Sequence, residues 1–105
     1  MRGARLGRSS REKGARGERE LANIYKERGF KCRRAGNSLG LADCVGVPGL
    51  HIEVKRQEKL NIWAAMDQAE GDAREGEIPT VHYRRNRSDW WVTLPLSDFI
   101  DLLDR

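Results

Sequence analysis

The stretch Leu50–Lys55, LHIEVK, has the pattern of a β-strand with two different faces. Side chains alternate along a strand, so His51, Glu53 and Lys55 share one face and the aliphatic residues between them share the other. Asp43 lies ten positions upstream of Glu53, in the preceding predicted strand. Two carboxylates on adjacent strands form an oxygen cage for a divalent cation, with a lysine beside it. The stretch therefore predicts a central strand that carries a metal site.

Patterns on both sides of this strand complete an α/β fold. Apolar residues recur at helical spacing from about residue 15 to Gly29 and again over residues 61–74. Pro48-Gly49 is a tight-turn signal that joins two strands into a hairpin. The order is αβββαβ followed by a strand and a short helix, which predicts a mixed sheet flanked by helices. The predicted strands are residues 30–34, 41–47, 50–56, 78–83 and 90–94, and the last helix begins near Leu96.

The length and charge of the chain limit its organisation and its partners. A chain of 105 residues is long enough for one modest core. Residues 1–34 contain twelve Lys/Arg and four Asp/Glu, whereas the rest is mildly acidic. This asymmetry indicates a polyanionic partner, nucleic acid or an anionic membrane. We interpret residues 1–13 as a basic arm, either disordered or ordered only on DNA, and residues 14–105 as one domain.

The lack of a recognisable targeting signal and the small number of cysteines predict a cytoplasmic protein. No apolar run reaches membrane-spanning length, so no membrane partner is expected. The arginine-rich residues 1–17 lack the apolar region of a secretory signal. Cys32 and Cys44 are too few for a zinc site and are expected to be reduced thiols of a cytoplasmic protein.

Glu18 occupies an unexpected place on the first predicted helix. At about 100° per residue it falls at the centre of the apolar face, between Ala22 and Leu21. A carboxylate is seldom left there without a partner. Glu18 therefore either pairs with a buried Arg or Lys, or faces a metal site on the sheet beneath. Glu20 points away from this face and is expected to be solvent-exposed.

These residues together suit metal-assisted hydrolysis of a phosphodiester. Asp43, Glu53 and the carbonyl of Val54 would supply oxygen ligands to Mg²⁺, with Glu18 coordinating through water. Lys55 would orient the attacking water or stabilise charge that develops on the phosphate. An E-x-K triplet alone is common by chance. The upstream aspartate and the helical glutamate make the combination more specific.

The motif order Glu18, Asp43 and Glu53-Val54-Lys55 resembles the PD-(D/E)xK nuclease superfamily. The helix Gly14–Leu21, GARGEREL, followed by Gly29-Phe30 and the loop Arg34–Ser38, RAGNS, is similar to archaeal-type Holliday junction resolvases and their phage-borne relatives. The similarity covers most of residues 14–56. Ala42 departs from it, because a proline often precedes the aspartate in the superfamily.

This resemblance implies a restriction-endonuclease-like fold and a function. Glu18, Asp43, Glu53 and Lys55 would be the catalytic set, with Ser38 contacting the substrate. The cofactor would be Mg²⁺, with Mn²⁺ as a substitute. The protein would be a homodimer that acts on branched DNA, namely four-way junctions, in a bacterial, archaeal or phage-infected cell.

Several other residues have two alternative interpretations each. Gln68 lies beside the apolar face of the second helix and is either an auxiliary site residue or an ordinary border residue. His51 shares the face of Glu53 and is either near the metal or structural.

Of Trp90 and Trp91, one is expected in the core and the other at the surface or in a dimer contact. Phosphate contacts, with solvated charge as the alternative, are predicted for Arg11, Lys13, Arg16, Arg33, Arg34, Arg84, Arg85 and Arg87.

Three functions are compatible with these observations. The first is an endonuclease that resolves four-way junctions by paired cuts. The second keeps the chemistry but acts on other DNA structures, as a repair, flap or restriction-type nuclease. The third is a DNA-binding module without catalysis. The intact set of Glu18, Asp43, Glu53 and Lys55 argues against the third, because a buried carboxylate without a function costs stability.

Overall fold

The computed structural model describes residues 2–36 and 41–104, with side chains from residue 11 onward within these ranges. The order of helices and strands agrees with the αβββαβ prediction and the additional strand and helix. The elements are α1 (Arg2–Glu27), β1 (Arg33–Arg34), β2 (Cys44–Val45), β3 (Leu50–Arg56), α2 (Ile62–Asp72), β4 (Ile78–Arg84), β5 (Trp91–Thr93) and α3 (Leu96–Leu103).

The five strands form one mixed sheet in the order β1-β2-β3-β4-β5. Strand β3 is central, antiparallel to β2 and parallel to β4, and α2 is the crossover between the two parallel strands. The register pairs Glu53 with Val81 and Val54 with His82. Paired residues of neighbouring strands point to the same face, so this register determines what surrounds each side chain of β3.

The two faces of the sheet carry separate apolar clusters. On the α1 side, Ile52 and Val54 pack with helical and strand residues that include Leu21, Ala22, Cys32 and Cys44. On the α2 side, a smaller cluster contains Ala65, Met66, Ala69 and Val81. The alternation predicted for β3 is confirmed by this packing. Both cysteines are free and buried.

Helix α1 begins far earlier than the apolar pattern predicted. It runs from Arg2 and therefore includes the segment interpreted as a basic arm. Residues such as Arg, Glu and Ala favour helix without producing an apolar stripe, so periodicity did not reveal this extension. The division into an arm and a nuclease domain stays a prediction. Ile24, one of the apolar residues that recur at helical spacing in α1, is exposed.

Gly17 allows α1 to lie close to the central strand. A Cβ atom built on this glycine would stand 3.0 Å from the Cβ atom of Arg56 on β3. The close approach brings the next residue of the helix, Glu18, to the sheet. It therefore positions one of the predicted site residues.

The tandem tryptophans separate as predicted. Trp90 packs against the α1-side cluster, and its indole N–H donates to Glu20 at 2.8 Å. Trp91 is exposed at the start of β5. Glu20 is solvent-exposed, as the helical pattern predicted, and it also forms an ion pair with Arg84. None of the described helices is long and apolar enough to span a bilayer.

Candidate functional site

Asp43 lies where β2 separates from β3. Its backbone N–H donates to the Ile52 carbonyl at 2.9 Å, and its Oδ2 accepts the backbone N–H of Val54 at 2.7 Å. The carboxylate thus takes the place that a strand carbonyl would have in a continuous ladder. This explains why β2, which is shorter than predicted, begins only at Cys44. The separation opens the sheet beside the predicted site.

A cleft of about 450 Å³ forms at this opening. Glu18 from α1, Asp43 from the end of β2, and Val54 and Lys55 from β3 all line it. Lys13 lies at its rim, on the same helix as Glu18. Four of the predicted site residues, which come from three separate elements, therefore meet around one space.

Glu53 lies behind this cleft, on the α2 side of β3. Its side chain is 2% exposed, its Oε1 lies 2.8 Å from His51 Nε2, and its Oε2 accepts from Gln68 Nε2 at 3.4 Å. Burial is the largest cause that raises the pKa of Glu53, the hydrogen bond with His51 lowers it, the nearby Asp43 carboxylate raises it, and the result is a pKa of about 7. Near neutral pH this carboxylate is thus poised between its protonated and ionised forms.

Lys55 and Gln68 connect the cleft with the buried Glu53 behind it. The lysine Nζ donates to the Gln68 Oε1 at 3.1 Å, while the amide nitrogen of the same glutamine donates to Glu53. Gln68 lies on α2, which packs over β3 and β4. The glutamine therefore contacts both the ammonium group of Lys55 and the carboxylate of Glu53, and its role as an auxiliary site residue stays a prediction.

Glu18 combines the two alternatives that its helical position left open. Its Oε1 accepts from Arg34 Nε at 3.0 Å, so it has a basic partner. It also lines the cleft with Asp43 and Lys55. Its partner, Arg34, was predicted as a phosphate contact and here serves first to hold Glu18 in place.

The other basic residues divide into engaged and exposed groups. Lys13 lies 3.7 Å from Glu58, and Arg84 pairs with Glu20. Ser38, the predicted substrate contact in the loop, lies outside the described residues. The predicted phosphate contacts that are exposed are Arg11, Arg16, Arg33, Arg85 and Arg87.

A second group of ligand atoms lies close to the first. One ligand atom from each of His51, Glu53 and Asp72 falls within 4.8 Å of the other two. Asp72 ends α2, and Glu77 Oε1 is 3.9 Å from His51 Nδ1. Glu53 therefore has further polar neighbours, His51 and Asp72, that do not line the cleft.

Sequence reasoning missed three features of this region. The bond between His51 and Glu53 had a local signal, since the two residues are two apart on one strand face. The pairing of Glu18 with Arg34 and the approach of Asp72 to His51 join residues that are far apart in sequence. No periodicity could reveal these, because they depend on how the elements pack.

Two comparisons with known proteins indicate the same family. The family model for the archaeal Holliday junction resolvase (Hjc) matches residues 9–98. A solved structure of Hjc, a Holliday junction resolvase from the archaeal hyperthermophile Archaeoglobus fulgidus, is 26% identical, with a TM-score of 0.57. The similarity covers 78% of this chain and 72% of that one. No curated protein sequence matches the chain.

Proposed function

The chain belongs to the archaeal Holliday junction resolvase family, and we propose that it is a metal-dependent endodeoxyribonuclease that resolves four-way DNA junctions by paired phosphodiester hydrolysis. The observation that carries the proposal is the cleft at the opening of the sheet. Glu18, Asp43, Val54 and Lys55 converge there from three elements. Glu53 lies immediately behind them, close enough to Asp43 for the Asp43 carboxylate to raise the pKa of Glu53.

The donor groups fit a hard divalent cation. Carboxylate and carbonyl oxygens are the ligands that Mg²⁺ prefers, and one or two carboxylates are sufficient because the ion keeps several waters. We assign Asp43, Glu53 and the Val54 carbonyl as ligands, with Glu18 acting through water, and Mn²⁺ as a substitute for Mg²⁺. When bound, the ion would neutralise charge on the scissile phosphate and lower the pKa of a water molecule.

Lys55 and Gln68 would act on the substrate side of the site. An ammonium group at the edge of the cleft can stabilise negative charge on a phosphate or orient the attacking water. Gln68 accepts from Lys55 at 3.1 Å, which restricts the lysine to one part of the cleft. We therefore assign Lys55 as a catalytic residue and Gln68 as an auxiliary residue that orients it.

The basic residues would bind the DNA backbone. Phosphate contacts provide affinity and orientation without sequence information. Exposed arginines occur on α1, which lines the cleft, and also on β1 and in the turn before β5. The proposed DNA contacts are Arg11, Lys13, Arg16, Arg33, Arg34, Ser38, Arg84, Arg85 and Arg87.

A homodimer completes the proposal. Two copies related by a two-fold axis would place one active site on each of two opposed strands of a junction. The apolar residues of β5 and α3 support this assembly, because an exposed apolar surface of this kind marks an interaction site. Those that are exposed are Trp91, Val92, Leu96, Phe99, Ile100 and Leu103. We place this enzyme in the cytoplasm, and a phage-borne origin stays a prediction.

A substrate panel with Mg²⁺ tests the function. Synthetic four-way junction, flap, duplex and single strand would be incubated with the wild type and with Asp43→Asn, the matched variant. We expect paired nicks in the junction from the wild type, and binding without cleavage from Asp43→Asn. Equal cutting of duplex and junction would contradict junction resolution and favour a repair- or restriction-type nuclease. Binding of DNA without cleavage of any substrate would indicate a non-catalytic module.

A further inference from the structure

His51 and Glu53 form a buried pair on the central strand. Each side chain is 2% exposed, and the His51 Nε2 lies 2.8 Å from the Glu53 Oε1. When Glu53 is ionised, as a metal ligand must be, its carboxylate only accepts hydrogen bonds and the imidazole donates through Nε2. This bond is shorter than the 3.4 Å contact from Gln68 to the other oxygen. His51 is therefore the closer of the two groups that determine the orientation of the carboxylate.

The position of His51 is itself held by the sheet. Its backbone carbonyl accepts the hydroxyl of Thr80 at 2.8 Å, from the neighbouring strand β4. Residue 51 pairs with Pro79 in the parallel register. The imidazole thus projects from a segment of strand whose backbone is hydrogen-bonded, and the side chain itself is buried.

We propose that His51 is a positioning residue for the metal-binding carboxylate of Glu53, an inference that rests on the proposed function. A carboxylate that must bind a cation together with Asp43 loses affinity if its plane rotates freely. Substitution of a group that hydrogen-bonds a metal ligand without touching the metal typically lowers metal affinity by about 10- to 100-fold. His51 provides such a bond and does not itself line the cleft.

A direct ligand role for His51 is the competing interpretation. One ligand atom of Asp72 lies within 4.8 Å of those of His51 and Glu53, so the three residues could in principle surround an ion. The two interpretations differ in what Asp72 does. If His51 only positions Glu53, removing the charge of Asp72 leaves metal binding unchanged.

Two near-isosteric substitutions separate the role of the Nε2 donor from the role of the side chain's bulk. In His51→Gln the amide nitrogen can reach the position of Nε2, whereas in His51→Asn it reaches only as far as Nδ1. Mn²⁺ and Mg²⁺ affinity would be measured by calorimetry for the wild type, both variants and Asp72→Asn. The metal-concentration dependence of junction nicking would be measured in parallel, with thermal melting to establish that each protein is folded.

We expect His51→Asn to weaken metal affinity by about 10-fold, with most of the cleavage rate recovered at saturating metal. We expect His51→Gln to remain within about threefold of the wild type, and Asp72→Asn to be unchanged. Unaltered or tighter metal binding by a folded His51→Asn protein would overturn the proposal. So would equal losses from His51→Asn and Asp72→Asn, which would make His51 a ligand.

The outcome is separable from that of the proposed function. Calorimetry measures metal affinity whatever DNA the enzyme cuts, so the positioning role survives if the substrate panel favours flaps or duplex. Conversely, a wild type that resolves junctions while His51→Asn binds metal normally would reject the positioning role alone. Failure of the wild type to bind either metal would reject both.

Discussion

The two faces of β3 differ in composition although they alternate residue by residue along one strand. Towards α1, Ile52 and Val54 enter a closed apolar cluster. Towards α2, the same strand presents His51, Glu53 and Lys55, of which the first two are buried. The α1-facing side stabilises the fold by burying apolar surface. The α2-facing side buries an acid that the fold alone does not require.

This difference shows where stability is given up for function. Burial raises the pKa of Glu53 to about 7, so ionising this carboxylate in the folded protein is unfavourable. Ionisable groups with such shifts concentrate at functional sites. Neighbouring substitutions on the two faces should therefore have opposite consequences, and the following predictions test this from the largest effect to the smallest.

The largest effect should be the loss of cleavage in Glu53→Gln. The amide keeps the size of the side chain but removes the charge that a cation needs. We expect the rate of junction nicking to fall by roughly 10³-fold, which is typical when an electrostatic contribution to a transition state is lost. DNA affinity, measured without metal, should stay within about threefold. Cleavage within tenfold of the wild type would remove Glu53 from the metal site.

Next in size should be a loss of stability at acidic pH that is caused by His82. This residue lies on β4 beside Val54, on the face of the sheet that packs against α1. Burial lowers the pKa of His82 to about 4, while its Nε2 pairs with the Tyr25 hydroxyl at 2.6 Å. An unfolded histidine titrates near 6.5, so the unfolded state takes up the proton first. The stabilisation is complete above pH 6.5 and is lost as the pH falls towards 4, by up to about 3 kcal/mol.

Chemical unfolding of the wild type and His82→Gln from pH 8 to pH 4 measures this contribution. The glutamine can still meet the Tyr25 hydroxyl but does not titrate in this range. The difference in unfolding free energy between the two proteins should change with pH only below about 6.5. A difference that is constant across the range would show that His82 titrates normally in the folded state.

The sequence predicted the order of elements and the alternation of β3, because both follow from local residue patterns. It predicted Asp43, Glu53 and Lys55 together for the same reason, since they lie on a hairpin whose turn is visible as Pro48-Gly49. The polar partners of Glu53 on α2 could not be derived this way. Gln68 and Asp72 reach it only because of the angle at which α2 crosses the sheet, and angle is a property of tertiary packing.

Helix α1 and strand β2 show two other limits. The extension of α1 to Arg2 has no apolar stripe. Only the helix propensity of its residues favoured a helix there, and a charged segment can equally remain solvated and unfolded. Strand β2 was predicted over residues 41–47 from its apolar residues. The Asp43 side chain delays the start of the strand, because its carboxylate accepts the Val54 N–H that a backbone carbonyl of β2 would otherwise accept. The number of apolar residues in the segment does not predict such a bond.

A third and smaller effect should be a gain in stability for Glu53→Gln. The folded pKa of Glu53 is raised above its unfolded value near 4.5, so the wild type loses stability as the pH rises from about 4.5 through 7. The amide does not titrate. We expect the variant to be more stable by about 1–2 kcal/mol at pH 8 without metal, and equal to the wild type below pH 4.5.

The measurement is chemical unfolding with a chelator present at both pH values. In the wild type the contributions of Glu53 and His82 have opposite signs between pH 4.5 and 6.5, so they partly cancel. Glu53→Gln should therefore show a steeper acid-induced loss of stability than the wild type. A variant that is less stable than the wild type at pH 8 would mean that the ionised pair with His51 stabilises the fold.

The smallest effect should come from Ile52→Val, one residue away on the other face. Ile52 is fully buried, and removing one methylene from such a site costs about 1 kcal/mol. Its side chain enters the α1-side cluster, so metal affinity and the rate of junction nicking should stay within about twofold of the wild type. Unfolding, calorimetry and cleavage on the same preparation would compare it directly with Glu53→Gln. If Ile52→Val lowered cleavage tenfold while remaining folded, then α1-side packing would be needed to hold Glu18 and Asp43 at the cleft. The two faces of β3 would then act as one unit.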